Sequence, residues 1–192
     1  MPRAGLSRQA VTDLAVRVVS ESPDGLDGLT LAAVAARAGV AGPSLYKHVD
    51  SLADLRRSVA VIAVRELVRR TALATVGVTG PDALRALGRA VRDYARESPG
   101  LYSATQVAPE PADGSGSALA DAGADAVAVV GAVLRGFGVP DTALVDAVRA
   151  TRAAIHGFIV LESRHGFGLP DDIDRSFETL LDLLVAGLPA VR

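Results

Sequence analysis

The sequence predicts an all-α fold of about nine helices. Three observations carry that reading. Apolar residues recur at three- and four-residue spacing along most of the 192 residues, and no stretch alternates with period two for long enough to make a strand. Gly and Pro clusters fall between the periodic segments. With three Tyr, four Phe and no Trp, the core has to come from Ala, Val, Leu and Ile, which dominate a 49% hydrophobic chain.

The elements follow in order. Ser7 starts a first helix with Leu6, Ala10, Leu14 and Val18 beside Val11, Ala15 and Val19; Pro23-Asp24-Gly25 ends it. Thr30 is the expected N-cap of a short second helix with Leu31, Val34, Ala35 and Ala38 inward, and Gly39 closes it. A third short helix is expected over roughly Ala41 to His48, with Pro43 in its first turn. Asp50 or Ser51 caps a long fourth helix, faced by Leu52, Leu55, Val59, Ile62 and Leu67 and reaching about Ala74. Pro81 opens a fifth, with Leu84, Leu87, Val91 and Tyr94; Ser98-Pro99-Gly100 breaks it before a short sixth around Leu101 to Gln106. Residues 107–118, VAPEPADGSGSA, read as a loop. Three helices remain, near Ala118 to Phe137, Asp141 to His165 and Asp171 to Gly187. There is no repeat at a fixed period. The first three helices are short and the later ones longer and more apolar. Residues 1–50 are therefore expected to form one domain and 51–192 another, with the fourth helix a rigid connector.

Totals exclude several functions. Net charge is -2 and the isoelectric point about 5.9, so any nucleic-acid contact has to be local. No cysteine means no disulfide, thiolate metal site or Cys nucleophile, which fits a cytoplasmic protein. MPRAGLSRQAV lacks the apolar region of a signal peptide, and the apolar run Ala126 to Leu134 is far short of the ~20 residues that span a bilayer. The three histidines lack metal-ligand spacing, so neither a metal nor another cofactor is expected.

The most informative stretch is GPSLYKHVDSLADL, residues 42–55, which holds the only lysine, Lys47. Ser44-Leu45-Tyr46-Lys47 matches S-x-x-K, but the K-T-G element such acyl-transfer enzymes need is absent. No paired nucleophile and base, phosphate loop or metal cluster supports an enzyme. Two short helices joined at Gly39 fit a helix-turn-helix, whose second helix enters the major groove. On that helix Pro43, Ser44, Lys47 and His48 are small or polar. Tyr46 and Lys47 can meet phosphates, and Leu45 and Val49 turn inward. Arg37, Lys47, Arg56 and Arg57 against Asp50 and Asp54 give 4 - 2 = +2 from 37 to 57.

Thr30, Ala35, Ala38, Gly39, Val40, Leu45, Tyr46, His48, Val49, Leu52 and Leu55 together resemble the DNA-binding motif of the tetracycline-repressor (TetR) family, over about residues 6 to 60. The resemblance implies a ligand-responsive repressor of a double-stranded DNA operator. By it, Thr30 caps near a phosphate; Gly42, Pro43 and Ser44 form the base-reading edge; Tyr46 and Lys47 contact phosphates or nearby bases. His48 is open to two roles, DNA contact or packing. Ala41 and Ser51-Leu52 stand where many members carry Ser or Thr and Lys, which weakens phosphate contacts. With the acidic balance, these departures support an alternative: a helical small-molecule-binding or scaffold dimer that has lost DNA binding.

The last two helices are apolar over wide arcs and need cover on two sides, most simply from a second copy. A homodimer is expected, with reading heads about 34 Å apart for two half-sites. IHGFIVLE resembles the Trp-His-Gly type C-terminal domain of some family members, with Ile155 at the Trp position. Arg149, Arg152 and His156 form a polar stripe. Arg152 and His156 are candidate contacts to a small-molecule effector, or partners of Glu162, Asp146 or a second chain's carboxylate. Tyr94, Tyr102, Gln106 and Phe137 are further pocket candidates.

Overall fold

In a computed structural model that describes residues 6–109 and 117–191, every regular element is helical. Eight α-helices are α1 (Arg8–Glu21), α2 (Leu31–Ala38), α3 (Leu52–Ala74), α4 (Gly80–Glu97), α5 (Pro99–Ala104), α6 (Ala118–Arg135), α7 (Asp141–Ser163) and α8 (Ile173–Gly187). Three short 3-10 helices lie at Gly25–Gly28, Gly42–Lys47 and Leu188–Ala190. The all-α fold of about nine helices is met, with Gly42–Lys47 standing as the third. Of the loop expected over 107–118, residues 110–116 lie outside the described residues, as do 1–5 and 192.

Local chemistry places the boundaries. Ser7 Oγ accepts from Ala10 N at 3.2 Å and Thr30 Oγ1 from Ala33 N at 3.1 Å, each satisfying an amide that has no partner within its helix. Gly39 ends α2 at φ 67°, a left-handed conformation that a side chain disfavours, and Val40 N then reaches back to Ala35 O at 3.1 Å. Ser51, not Asp50, caps α3: its Oγ accepts from Asp54 N at 3.0 Å. The expected break after α4 falls at Ser98, and the short helix that follows begins at Pro99, two residues before the expected start, where the missing N–H of proline costs nothing.

The described chain packs as two compact units: Met1–Glu66 with Ser98–Ala122, and Leu67–Glu97 with Gly123–Arg192. The first is built on Val11, Ala15, Val19, Leu29, Val34, Leu45, Val49, Leu55 and Val59. In it α5 lies against α1 and the Gly25–Gly28 turn, and Ser103 Oγ accepts from Leu26 N at 3.0 Å. In the second unit α4 packs on both α7 and α8. Leu84, Leu87, Tyr94, Ile155, Ile159, Phe177 and Leu181 fill it, and Gly88 gives Leu181 room.

One edge of α4 is an arginine stripe. Arg85 meets Asp182 at 2.9 Å, Arg89 meets Glu178 at 2.6 Å, and Arg92 and Arg96 both reach Glu162 and Asp174. The Arg92 hydrogen bond, against partial burial and aided by Arg96, holds Glu162 below the usual carboxylate range; Arg89 does the same for Glu178. A carboxylate lowered in the native state stabilises the fold above its unfolded pKa of about 4, and that contribution is lost as pH falls through the native value. The urea midpoint, followed by circular dichroism, is therefore expected to hold from neutrality to about pH 5 and to fall below about pH 4.

Candidate nucleic-acid interface

The helix-turn-helix is assembled from α2, the Gly39 turn and Gly42–Lys47. Residues 42–47 wind as a 3-10 helix, opened by Gly42-Pro43 and closed by a His48 N to Leu45 O bond of 2.8 Å. Its bonds follow the tighter i to i+3 pattern, as in Ser44 N to Ala41 O at 2.9 Å. Leu45 and Val49 are the anchors, at 0% and 1% exposure. They fix the segment on the first core, as their four-residue spacing predicts.

The anchors leave the other side chains outward. Tyr46 is 60% exposed. Pro43 and Lys47 are exposed, while Gly42, Ser44 and His48 are half-buried. Thr30 is exposed at the start of α2, where its hydroxyl is spent on the cap. The structure thus brings the expected DNA-facing residues of 42–48 onto one short segment, with Thr30 at the N-terminus of the preceding helix.

Sequence reading missed what holds this segment. Asp54, in the first turn of α3, takes Arg8 Nη2 at 2.6 Å on one oxygen and Asp50 N at 3.1 Å on the other. Partial burial pushes its carboxyl up, but the Arg8 bond, the Asp50 amide and the charges of Arg8 and Arg57 outweigh that and lower it. Asp54 therefore fastens the turn after the recognition segment to α1. Ser51-x-x-Asp54 was a readable capping signal; its partner Arg8, 46 residues away, was not. Arg37 of α2 is likewise taken by Glu21 of α1.

The six ligand candidates divide between the units. Tyr102 and Gln106 belong to the first; Tyr102 is buried and Gln106 exposed, donating to Thr105 Oγ1 at 2.7 Å. Tyr94, Phe137, Arg152 and His156 belong to the second. Tyr94 is 1% exposed beneath the Arg70 guanidinium; Phe137 and His156 are half-buried and Arg152 exposed. Burial, then the charge of Arg152, holds His156 below the usual imidazole pKa. An open groove of about 320 Å³ in the second unit, walled by Ala72, Thr75, Val129, Ala132, Val133 and Gly136, includes none of the six. Of the expected partners of the polar stripe, Asp146 lies 3.7 Å from Arg149, and Glu162 is bound by Arg92 and Arg96. Among the described residues no group of His, Cys, Asp or Glu could hold a metal ion, and no helix is long and apolar enough to cross a membrane.

A capped short helix, a glycine turn and an outward-facing second segment define a DNA-binding regulator of the helix-turn-helix class. Residues 84–184 match the family model described as tetracyclin repressor-like, C-terminal domain. An uncharacterized HTH-type transcriptional regulator of Mycobacterium tuberculosis is 35% identical over 96% of this chain and 83% of its own. YobS, an uncharacterized HTH-type transcriptional regulator of Bacillus subtilis, is 30% identical over 97% and 95%. The chain belongs to the TetR family of transcriptional regulators, which is not a family of enzymes. Solved structures share the fold: a TetR regulator of Streptomyces coelicolor (TM-score 0.69, 21% identity, 97% of this chain and 99% of that one). Another is BioQ bound to its natural double-stranded DNA operator (TM-score 0.70, 24% identity, 97% and 99%). A third is a TetR variant of Acinetobacter baumannii in complex with minocycline (TM-score 0.67, 20% identity, 97% and 98%).

Proposed function

We propose that the chain is a homodimeric cytoplasmic repressor that holds a double-stranded DNA operator and releases it when a small molecule binds. The observation that carries the reading is the recognition segment, anchored by buried Leu45 and Val49 while Tyr46 stands 60% exposed. In this assignment residues 1–50 read DNA. Gly42, Pro43 and Ser44 approach base edges, Tyr46 and Lys47 bind phosphate oxygens, and the start of α2 at Thr30 faces a phosphate. His48, half-buried, completes the segment by packing or by contact. The operator-bound fold neighbour BioQ supports this use of the fold.

Residues 51–192 carry dimerisation and effector binding. Val145 and Leu161 on α7 and Leu183 on α8 are 54%, 49% and 67% exposed, apolar side chains that a second copy would cover. An added Cβ at Gly157 or Gly187 would meet nothing within 4 Å, so these helices have open flanks. Tyr94, Phe137, Arg152 and His156, and separately Tyr102 and Gln106, are the effector contacts we assign; the minocycline-bound neighbour supports a small-molecule role. The effector acts by binding the released state more tightly than the operator-bound state.

The test is selection of bound sequences from a random duplex pool at near-physiological salt. Near-palindromic sites with half-sites about one helical turn apart are expected, bound with a steep salt dependence. A folded dimer free of co-purified small molecule that enriches nothing would sink the reading.

A further inference from the structure

The recognition segment ends at Lys47, and the next two charges along the chain are acids. Asp50 is exposed and Asp54 half-buried, so two carboxylates stand beside the residues assigned to phosphates. Uncompensated, they would repel the DNA backbone. Most cations of the same unit are engaged elsewhere. Arg37 gives both terminal nitrogens to Glu21. Arg56 donates through Nη2 to the Asp27 carbonyl oxygen at 3.3 Å, and its Nε is buried. The charge of Arg17 acts on Glu21, at the opposite end of α1 from Arg8.

Arg8 is placed differently. It lies in the first turn of α1, outside the helix-turn-helix, yet Asp54 joins it to the turn that follows the recognition segment. One Asp54 oxygen takes Arg8 Nη2 at 2.6 Å and the other takes Asp50 N at 3.1 Å. The Asp50 charge acts on the guanidinium as well. Nη2 also lies 3.5 Å from Ser58 Oγ, whereas Nε and Nη1 make no hydrogen bond among the described residues. The side chain is 51% exposed. As an ion pair so open to water, Arg8–Asp54 adds little to stability. As a planar fork held by one nitrogen, Arg8 has already given up side-chain freedom that a phosphate contact would otherwise take from it, and it keeps donors for that contact.

We infer that Arg8 is a DNA-phosphate contact of this chain, a cation supplied by α1 and held beside the end of the recognition segment by Asp54. The inference rests on the DNA-binding reading above and extends it beyond residues 30–48. Such a contact carries charge and no sequence information, so its removal weakens binding to any duplex and lowers the salt dependence.

The experiment titrates full-length wild type, Arg8→Gln, Arg8→Lys and Arg17→Gln into two fluorescent duplexes at several salt concentrations. One duplex is the site enriched in the selection above and the other is a scrambled sequence of the same length. Arg8→Gln is expected to weaken both by about fivefold or more and to lower the log–log salt slope by about one for each protomer bound. Arg8→Lys, which keeps the charge, is expected to hold the wild-type slope. Arg17→Gln removes the same charge from the exposed surface of the same helix and is expected to leave slope and affinity unchanged. Circular dichroism of Arg8→Gln should match wild type, since glutamine suits a helix about as well as arginine. A wild-type slope in Arg8→Gln, even with weaker binding, would mean that Arg8 acts only through the fold and overturns the inference. So does an equal fall in slope in Arg17→Gln or in Arg8→Lys. A wild type that enriches no duplex overturns the DNA-binding reading itself.

Discussion

Replacing Tyr46 and Lys47 together by alanine is expected to weaken operator binding by roughly a hundredfold or more. Each lost contact is worth about 1–3 kcal/mol, and each 1.4 kcal/mol is tenfold in affinity. Tyr46 is 60% exposed and Lys47 is also outward, whereas the anchors Leu45 and Val49 are untouched. Helical content, thermal midpoint and oligomeric state should therefore match wild type. Lys47→Ala alone should also flatten the salt dependence, by about one in the log–log slope for each protomer bound. Titration of a fluorescent operator duplex at several salt concentrations reads both effects. A double variant that binds like wild type would show that Gly42–Lys47 is not the reading segment.

Gly100→Ala is expected to be the most damaging single substitution in the first unit. A Cβ there would lie 2.1 Å from the Val19 carbonyl oxygen and 3.0 Å from its carbon. Both are backbone atoms of α1, so no side chain can turn aside. Overpacking costs about 1–3 kcal/mol where side chains can adjust; here the cost should reach about 3 kcal/mol or beyond. For a unit of this size that lowers the midpoint by roughly 10 °C or more. The same change loosens the Ser103 bond to Leu26 N, and with it the Gly25–Gly28 turn. Differential scanning calorimetry checks it; a midpoint within about 2 °C of wild type would mean that α5 does not dock on α1 as described.

Local signals were legible in the sequence because their causes are local. Ser7 and Thr30 cap the helices they precede, Gly39 ends α2, and the i, i+4 pair Leu45 and Val49 is buried. The winding of the recognition segment was less legible, because a Gly-Pro start suits an α or a 3-10 turn equally. Contacts between distant residues were not legible at all. The Gly25–Gly28 turn depends on Ser103, 77 residues from Leu26. The break at Ser98-Pro99-Gly100 was legible, but nothing nearby says that Gly100 must be small to pass Val19. The arginine stripe of α4 went unread, because its meaning required Glu162 and the acids of α8. The same limit applies to the effector contacts, whose six candidates fall in two separate units.

The exposed lysine of the recognition segment has a practical side. The chain holds 20 basic Lys and Arg residues, and Lys47 is its single lysine. An amine-reactive reagent at mildly alkaline pH thus meets one side-chain target in the protein, and that target lies on the proposed reading face. Mass spectrometry of one peptide can then follow occupancy: labelling proceeds in the free protein and is shielded on the operator. The same scarcity lets a dye or a crosslinker be attached at the proposed DNA contact without mutating anything, with the α-amine as the competing site.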